Sequence, residues 1–375
     1  MKSIVIGGAA SIDNISYFLK IAKDKNIQVT LLENSNRFEE ISDEYKSYVE
    51  SIDYIPEHYS EVVPLDEYWV TQCAAREVNN ISKTALLASR SKLYLSECMK
   101  NAHLTYVPRE YLDDTQIIPW SSYLARLDAS YSSYGIFRNK DSEAVDAKTI
   151  TEKVLKGFKG SLSYVLGDIQ PKIVIEKFID GIELSTDVVI KDGQVKILRL
   201  SRKVINWLDG TPVCDSYISI PITKEYREII ELWVSTLFTE RCTSFAHFDF
   251  ILSDNEYFPL DFSCRLGGGL DALKLFEGVD SYIANSLLDI PVYFSDYSTQ
   301  KNLVTQKTGV IKDLNIKSKD SYFVRYTKSI GDTLPKNIGS ANGRVAEICF
   351  SSDSIDNALK ESILIDNLWN IQTYD

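Results

Sequence analysis

The chain has 375 residues, 44% of them apolar, with 41 Lys and Arg against 53 Asp and Glu, which gives a net charge of −12 at pH 7. This length predicts two or three compact domains of ~100–200 residues each. The acidic balance argues against nucleic acid and against an anionic membrane surface as partners, because binders of phosphate backbones present a basic face. A small anionic ligand in a locally basic cleft stays open. No run approaches the ~18 apolar residues of a membrane span.

Cysteine and histidine usage points to no zinc site. The six cysteines lie far apart, and the three histidines show no metal-ligand spacing. Scattered thiols are typical of a reducing compartment, and the first residues do not resemble a secretory signal. We therefore expect a cytoplasmic protein.

The N-terminal residues predict a Rossmann-like α/β unit. A strand at residues 3–6 runs into Gly7-Gly8, a helical pattern follows at 12–22, and a second strand at 27–32 ends beside Glu33. The third glycine of the dinucleotide-binding fingerprint is missing, so a structural βαβ unit is the favoured interpretation. An NAD-dependent oxidoreductase is the alternative that this segment leaves open.

The rest of the chain alternates helical and strand-like patterns. Residues from about 80 to Pro108 predict a helical stretch. Hairpin turns are predicted at Asp192-Gly193 and Asp254-Asn255. The remaining predicted helices are 149–158, 270–278 and 282–288, and the predicted strands are 172–178, 184–190, 195–200, 248–252, 257–262, 322–326 and 345–350.

The stretch from His247 to Gly269 predicts a hairpin that carries chemistry. Its turn would bring Asp249 and Asp261 side by side on neighbouring strands. Adjacent carboxylates repel each other unless a cation lies between them, and Mg²⁺ with bridging phosphates is the usual solution. Ser263 and Arg265 follow Asp261 at the two-residue period of one strand face, so Arg265 could hold a developing phosphate charge. A solvent-facing strand before a glycine-rich turn is the alternative.

A second stretch, residues 173–190, reads as strand, bend and strand. The first strand ends at Glu176, and the bend at Asp180-Gly181 precedes Glu183. Main-chain groups at such a strand end can hydrogen-bond the edge of a purine, with an acid near the ribose. An ordinary charged strand–turn–strand is the alternative.

Together and in this order, the two stretches resemble the ATP-grasp superfamily over residues from about 80 to 292. The resemblance implies an α/β and α+β chain, in which a Rossmann-like N-terminal domain precedes a two-lobed ATP-grasp fold with a small C-terminal extension. The implied domains are 1–90, 91–170 with the phosphate lid, 171–300 as the catalytic lobe, and 301–375 as an α+β lobe.

The resemblance implies ATP and one or two Mg²⁺ ions as cofactors, with Mn²⁺ as a substitute. Asp249 and Asp261 correspond to the metal-binding acids of the family, Ser263 to its third metal position, and Arg265 to the arginine on the transferred phosphate. Aspartate at 261 is shorter than the usual glutamate, and serine at 263 replaces asparagine. Both departures would weaken a second metal site.

ATP contacts follow from the same resemblance. Glu176 opens the adenine hinge, where main-chain contacts are expected at Lys177 and Phe178, and Glu183 corresponds to the ribose acid. Lys92, at the start of a helix, is the candidate for the α-phosphate, and Lys83 is its rival.

The lid and the second phosphate contact are the least regular part of the resemblance. Arg126 stands where a lysine is usual, and residues 130–135 correspond to the lid, with Ser132 and Ser133 covering the phosphates. A plain surface loop is the alternative. Lys203, with Arg202 beside it, would face the γ-phosphate or a substrate carboxylate, or belong to an exposed basic pair.

Within the superfamily the glycine-rich extension Gly267, Gly268 and Gly269 looks most like that of the amino-acid and dipeptide ligases. The resemblance then implies that ATP phosphorylates a carboxylate and that an amine displaces phosphate from the acylphosphate, with Arg265 and Arg126 as catalytic cations. Small carboxylates and amines are the expected partners, and a homodimer is the expected assembly. ATP-grasp enzymes with other acceptors (purine biosynthesis or carboxylation) and a non-catalytic nucleotide-binding protein stay open.

Overall fold

The computed structural model describes residues 3–8, 19–20, 23–24, 26–32, 43, 49–52, 54–55, 57, 62–113, 117–118, 122–129, 135–138, 145–156, 172–208, 211–239, 242–279, 292, 294–334 and 343–374. Within these residues the fold is mixed: a parallel sheet comes first, and antiparallel sheets with helices follow. The predicted α/β and α+β class is therefore confirmed. No described helix is long and apolar enough to cross a membrane.

The N-terminal unit is a four-stranded sheet in the order β3-β2-β1-β4. Its strands are β1 (Ser3–Gly7), β2 (Gln28–Leu32), β3 (Val49–Ile52) and β4 (Val63–Pro64). They pair in parallel, as the predicted Rossmann-like unit requires. Most of the predicted helix at 12–22, like Glu33, lies outside the described residues.

Two helices and a serine between them replace the single helical stretch predicted for residues 80–108. The elements here are α1 (Glu67–Ala75), a short 3₁₀ helix (Val78–Asn80), α2 (Lys83–Arg90) and α3 (Lys92–Asn101). Ser91 is extended, with φ −138 and ψ 116, and its hydroxyl accepts a hydrogen bond from the Tyr94 N–H. A serine in this role caps the next helix, which stabilises it by about 0.5–2 kcal/mol and ends the preceding one. The remaining residues to Pro108 are not helical.

The middle of the chain forms two small sheets. The elements are β5 (Arg109–Tyr111), β6 (Ile117–Ile118), β7 (Tyr123–Leu127), β8 (Val145–Asp146), α4 (Ala147–Lys156) and β9 (Ile173–Lys177). β9 lies between β5 and β7, antiparallel to both. Ile150 and Val154 of α4 pack on Ala125 and Leu127 of β7, so the helix covers one face of this sheet.

The largest sheet has eight antiparallel strands in the order β14-β13-β10-β11-β12-β15-β19-β17, and a smaller one has the order β18-β16-β20. The elements that build and cover them are β10 (Ile182–Lys191), β11 (Gln194–Leu208), β12 (Thr211–Ser219), α5 (Lys224–Leu237), β13 (Ser244–Ser253), β14 (Glu256–Ser263), α6 (Asp271–Phe276), β15 (Thr299–Val304), β16 (Gly309–Ile316), β17 (Phe323–Tyr326), β18 (Thr333–Leu334), β19 (Arg344–Phe350), α7 (Ile355–Ile365) and β20 (Trp369–Tyr374).

Most predicted elements after residue 170 are found at their positions. The turn residues Asp192 and Gly193 have φ 49 and 74, and Asp254 and Asn255 have φ 49 and 64, as tight hairpins of right-handed twist require. The predicted helix at 282–288 lies outside the described residues. The eight-stranded sheet takes strands from both sides of residue 300, and the domain boundaries stay a prediction.

An aromatic core under β13 and β14 fixes how these strands pair. Trp233 of α5 packs on Phe248 and Phe250 at 5.5 and 5.1 Å between ring centroids, and Phe248 packs on Phe262 at 4.8 Å. Each fully buried ring is worth roughly 1.5–3 kcal/mol. A slip of one residue would turn these rings to the opposite face and bring acids into the core. Packing therefore holds Asp249 and the acid opposite it on the other face.

Candidate active site

A cavity of about 820 Å³ opens between the small sheet of β5, β7 and β9 and the face of the large sheet that carries the acids. Its lining includes Arg126 and Glu176 from the small sheet, Glu183, Lys203, Asp249 and Asp261 from the large one, and Arg325 and Arg344 from the C-terminal strands. Charged groups of both signs therefore face one space.

Asp249 and Asp261 are direct neighbours across the β13–β14 pair, as predicted. Asp249 Oδ1 lies 3.1 Å from Lys203 Nζ and 3.5 Å from His247 Nε2. Burial alone would raise the pKa of Asp249, but the charges of Lys203 and His247 hold it well below its usual range. This acid is thus ionised before any metal arrives.

Asp261 is flanked by two other cations. Its carboxylate lies 3.4 Å from Lys92 Nζ and 3.7 Å from Arg126 Nη2. The Lys92 side chain is only 4% exposed, and burial lowers its pKa to about 8. Lys83, the rival in the sequence, is exposed at the start of α2. The structure thus places Lys92, and not Lys83, beside the predicted metal site.

Glu176 is buried and paired, which the sequence did not reveal. Its carboxylate lies 2.7 Å from Arg109 Nε and 3.6 Å from Arg126 Nη1. Burial would raise the pKa of Glu176, and the two arginines lower it overall. Arg109 stands opposite Glu176 in the β5–β9 register, so the pairing depends on which strands meet. Arg126 therefore bridges Glu176 and Asp261.

The predicted adenine hinge has its N–H groups already engaged. The Lys177 N–H donates to Pro108 O at 3.1 Å, and the Phe178 N–H donates to Ser122 O at 2.8 Å. These donors continue the backbone pairing of β9. A purine edge at this bend would have to use carbonyl oxygens or the next residue, Ile179, which also lines the cavity.

Glu183, the predicted ribose acid, forms an ion pair with Lys203, directly opposite on β11. Lys203 thus joins Glu183 to Asp249. Burial would lower the pKa of Lys203, but the two carboxylates raise it well above its ordinary value. The Lys203 side chain is 11% exposed, so it is a buried cavity residue and not part of an exposed basic pair.

Arg265 is held from the N-terminal part of the chain. Its Nε lies 3.0 Å from Glu67 Oε1 on α1, and its Nη1 donates to Leu266 O at 2.8 Å. Ser263 stands opposite His247 on β13, and its hydroxyl donates to the Arg265 carbonyl at 3.4 Å. Arg265 and Ser263 both line the cavity.

A buried carboxylate that the sequence did not point to links β13 to the glycine-rich loop. Asp187, fully buried, accepts hydrogen bonds from Arg199 Nε at 2.6 Å and from the Gly267 N–H at 2.8 Å, and it lies 2.8 Å from His247 Nδ1. Burial would lower the pKa of His247, but Asp249 and Asp187 raise it above its ordinary value. Asp187 therefore positions His247 against Asp249.

The glycine-rich loop has three different environments. A Cβ at Gly267 would overlap the His247 ring, whereas Gly268 faces open space. Gly269 has φ +93, and its carbonyl accepts from Gln300 Nε2 at 2.6 Å. Gly267 is therefore required because a side chain would clash with His247, and Gly269 because its backbone has a positive φ. The predicted lid serines, Ser132 and Ser133, lie outside the described residues.

The carboxylates of Asp249 and Asp261 fit Mg²⁺ only if substrate phosphates supply further oxygen ligands. Among the described residues no three His, Cys, Asp or Glu side chains converge as a ready metal site. Magnesium is usually held by one or two carboxylates together with substrate phosphates. Asp249 and Asp261, 24% and 27% exposed, supply such a pair. In the protein alone, the basic side chains beside these acids include Lys203, His247, Lys92 and Arg126.

No protein-family model and no curated protein matches this sequence. Solved structures match its fold. An L-amino acid ligase from Bacillus licheniformis superposes with a TM-score of 0.70 at 16% identity, covering 100% of this chain and 99% of that one. A phosphoribosylglycinamide synthetase from Anaerococcus prevotii gives 0.60 at 14% identity, with 100% of both chains covered. The biotin carboxylase domain of a Hydrogenobacter thermophilus 2-oxoglutarate carboxylase, in complex with MgADP, gives 0.58 at 12% identity, covering 99% and 90%. These are ATP-grasp enzymes, and this chain shares their fold along its length, as the resemblance predicted.

Proposed function

We propose that this chain, which has an ATP-grasp fold, is an ATP-dependent ligase. It would form an amide bond between the carboxylate of one small amino-acid-like substrate and the amine of another. One observation carries the proposal: Asp249 and Asp261 stand in register on one cavity wall, with Lys92, Arg126 and Lys203 in contact with them. Such a centre can hold a metal–triphosphate group while neutralising its charge.

In this proposal Asp249 and Asp261 hold one or two Mg²⁺ ions, or Mn²⁺ in their place, with Ser263 as a further oxygen. The metal would neutralise charge on the phosphates. Lys92 and Arg126 contact the phosphates from the small-sheet side. Arg126 is fixed by Glu176, which limits its reorganisation during the reaction.

The nucleoside would lie along the bend that follows β9. Lys177, Phe178 and Glu176 border that part of the cavity, and Glu183 is the candidate for the ribose hydroxyls. Ser132 and Ser133 complete the proposed phosphate contacts as parts of the lid.

The reaction balances without a protein nucleophile. A carboxylate oxygen attacks the γ-phosphorus, the bond to the β–γ bridging oxygen breaks, and an acylphosphate and ADP form. The amine nitrogen then attacks the acyl carbon, phosphate leaves, and the nitrogen loses a proton. Arg265 would stabilise charge on the transferred phosphoryl group, while the N–H groups of Gly268 and Gly269 would face the substrate.

The homodimer and the cytoplasmic location stay predictions. The six cysteines are all free thiols, which agrees with a reducing compartment.

Phosphate release tests the proposal. The protein is given ATP, Mg²⁺ and pairwise mixtures of amino acids, and mass spectrometry detects a product one water lighter than the pair. We expect release that depends on one or more pairs. Asp261→Asn should lower the rate by on the order of 10²–10³, because it removes one electrostatic group from the centre. Asp254→Asn, in the exposed turn of the same hairpin, is the matched control and should keep the wild-type rate.

Two other outcomes would redirect the assignment. Tight ATP binding with no pair-dependent release would favour a non-catalytic nucleotide-binding protein. Release that responds to bicarbonate or to a phosphoribosyl amine instead of amino acids would favour the carboxylase or purine-synthesis types, to which the fold is also similar.

A further inference from the structure

An arginine packs on two aromatic rings at the hinge end of the cavity, and the proposed reaction leaves it without a role. Phe178 lies in the bend after β9, and Trp207 lies near the end of β11. Their ring centroids are 6.2 Å apart, and the rings meet edge to face at 65°. The guanidinium carbon of Arg138 lies 3.3 Å from the Phe178 centroid and 5.5 Å from that of Trp207. One cation therefore contacts a ring from each side of the cavity.

Arg138 supports these rings from outside the cavity. Phe178 and Trp207 both line the cavity, whereas Arg138 does not. The guanidinium thus covers ring surface that a bound ligand would not reach. Burial lowers the pKa of Arg138, and the charge of Asp180 in the same bend opposes this lowering. An arginine stays protonated under such a shift, so the group over the rings is a cation.

The backbone beside Arg138 is fixed to the small sheet. The Phe137 N–H donates to Ala125 O, and the Ala125 N–H donates to Phe137 O, both at 2.8 Å. Ala125 lies in the middle of β7. Arg138 therefore starts from the small sheet, just after the predicted lid at residues 130–135, and reaches to a ring on β11 of the large sheet.

A cation over an aromatic face restrains the ring, because the negative face of the ring attracts the charge. This matters for binding, since a ring that leaves its place part of the time makes the pocket incomplete for that time. The apparent Kd then rises in inverse proportion to the fraction of protein with a complete pocket. Arg138, on two rings at once, raises this fraction before any ligand binds.

We propose that Arg138 is a positioning residue for the nucleobase: it packs on Phe178 and Trp207 from outside the cavity and holds both rings as one wall of the nucleobase pocket. This inference rests on the proposed use of ATP. Arg138 itself does not touch the nucleotide, and its role is separate from that of Lys92 and Arg126, which are assigned to the phosphates. The nucleobase meets a wall that is already formed, so less conformational freedom is lost on binding.

Equilibrium binding tests the inference without requiring turnover. The full-length protein, with Mg²⁺, is titrated calorimetrically with a non-hydrolysable ATP analogue. Arg138→Met keeps a long side chain but removes the cation, and we expect the Kd to rise about 3- to 30-fold, the range that the attraction between a cation and an aromatic ring supports. Arg138→Lys keeps a cation over the rings and should recover part of the affinity.

Inorganic tripolyphosphate separates the nucleobase from the phosphates. Its magnesium complex carries no nucleoside, so Arg138→Met should bind it as the wild type does. Arg227→Met, the same substitution on the exposed face of α5, is the matched control and should bind both ligands like the wild type. In a Trp207→Leu background the loss caused by Arg138→Met should be smaller, because one of the two rings is gone. Circular dichroism confirms that each variant is folded.

The outcomes separate this inference from the ligase proposal. Wild-type affinity of the folded Arg138→Met protein for the analogue, or an equal loss of affinity for the analogue and for tripolyphosphate, would overturn the role of Arg138. Arg138-dependent nucleotide binding without any pair-dependent phosphate release would leave this role standing and overturn the ligase. Pair-dependent release by a protein whose nucleotide affinity does not depend on Arg138 would do the reverse.

Discussion

At the scale of single residues, the site is a set of buried charges that neutralise one another. Lys203 forms ion pairs with both Glu183 and Asp249, and Arg126 forms ion pairs with both Glu176 and Asp261. Removing one member of such a pair leaves the other uncompensated, which is expensive in a buried environment. The carboxylates hold the cations in the cavity before any ligand binds. A bound triphosphate could then replace the carboxylates as the partner of these cations.

The choice between Lys92 and Lys83 can be tested at this scale. We expect MgATP to raise the melting temperature of the wild type through preferential binding to the folded state. Lys92→Met should lose most of this shift, because the buried ammonium beside Asp261 is removed. Lys83→Met, which removes an exposed lysine from the neighbouring helix, should keep it. Equal shifts in the two variants, measured by differential scanning fluorimetry, would contradict the role of Lys92.

At the scale of elements, the β13–β14 hairpin and the loop after it operate as a unit. The aromatic side of the hairpin is packed on α5, so the acids must face the cavity. The loop is joined to the same unit through Asp187, which accepts from the Gly267 N–H and contacts His247. The glycine-rich loop and β13 are therefore both held by Asp187.

A pair of alanine substitutions tests this anchor. Gly267→Ala places a methyl group on the His247 ring and should lower the free energy of unfolding by about 1–3 kcal/mol, the usual cost of overpacking. Gly268→Ala meets no atom within 4 Å and should stay within about 0.5 kcal/mol of the wild type. Urea denaturation measures both. Equal stabilities would mean that the loop moves away from His247 without cost.

At the scale of the whole molecule, the net charge of −12 coexists with a cavity rich in cations. Several acids are buried as ionised partners of those cations, and this makes stability depend on pH. Burial raises the pKa values of Asp187 and Glu176, but Arg199 for the first and Arg109 with Arg126 for the second leave both below their ordinary values. The unfolded chain therefore binds protons more readily than the folded one at acid pH.

The direction of the pH effect follows from these lowered values. Each acid adds stability above its unfolded pKa, about 3.9 for Asp and 4.3 for Glu, and this stability is lost as the pH falls toward the folded pKa. We expect the free energy of unfolding to fall steeply below about pH 4.5. Asp187→Asn should be less stable at pH 7 and show a shallower acid slope. Exposed Asp320→Asn is the control, and urea titrations between pH 7 and pH 3 report all three proteins.

An unchanged slope in Asp187→Asn would contradict the lowered pKa of this residue. A stability that rises on acidification would contradict the whole account of buried, ionised acids.

Some of this organisation was predictable because it is local. Phenylalanine and aspartate alternate at Phe248, Asp249 and Phe250, and a two-residue turn at Asp254-Asn255 begins four residues after Phe250. Continued without interruption from this turn, the register would place Asp249 opposite Leu260. A β-bulge between Asp249 and Phe250 shifts it by one residue, so that Asp249 lies opposite Asp261, and the local pattern did not predict this bulge. The prediction of one continuous helical stretch through residue 91 was wrong. Ser91 ends one helix and caps the next, and the helical pattern does not show this break.

Hydrophobic periodicity and turn chemistry thus predicted the β13–β14 hairpin, because both act between near neighbours, while the ATP-grasp fold was implied by the resemblance of the motifs to that superfamily. Three of the charge pairs depend on the tertiary structure: Arg109 with Glu176, Arg265 with Glu67, and His247 with Asp187. These partners come from strands and helices distant along the chain. Their contacts depend on strand order in the sheets, which local patterns do not encode.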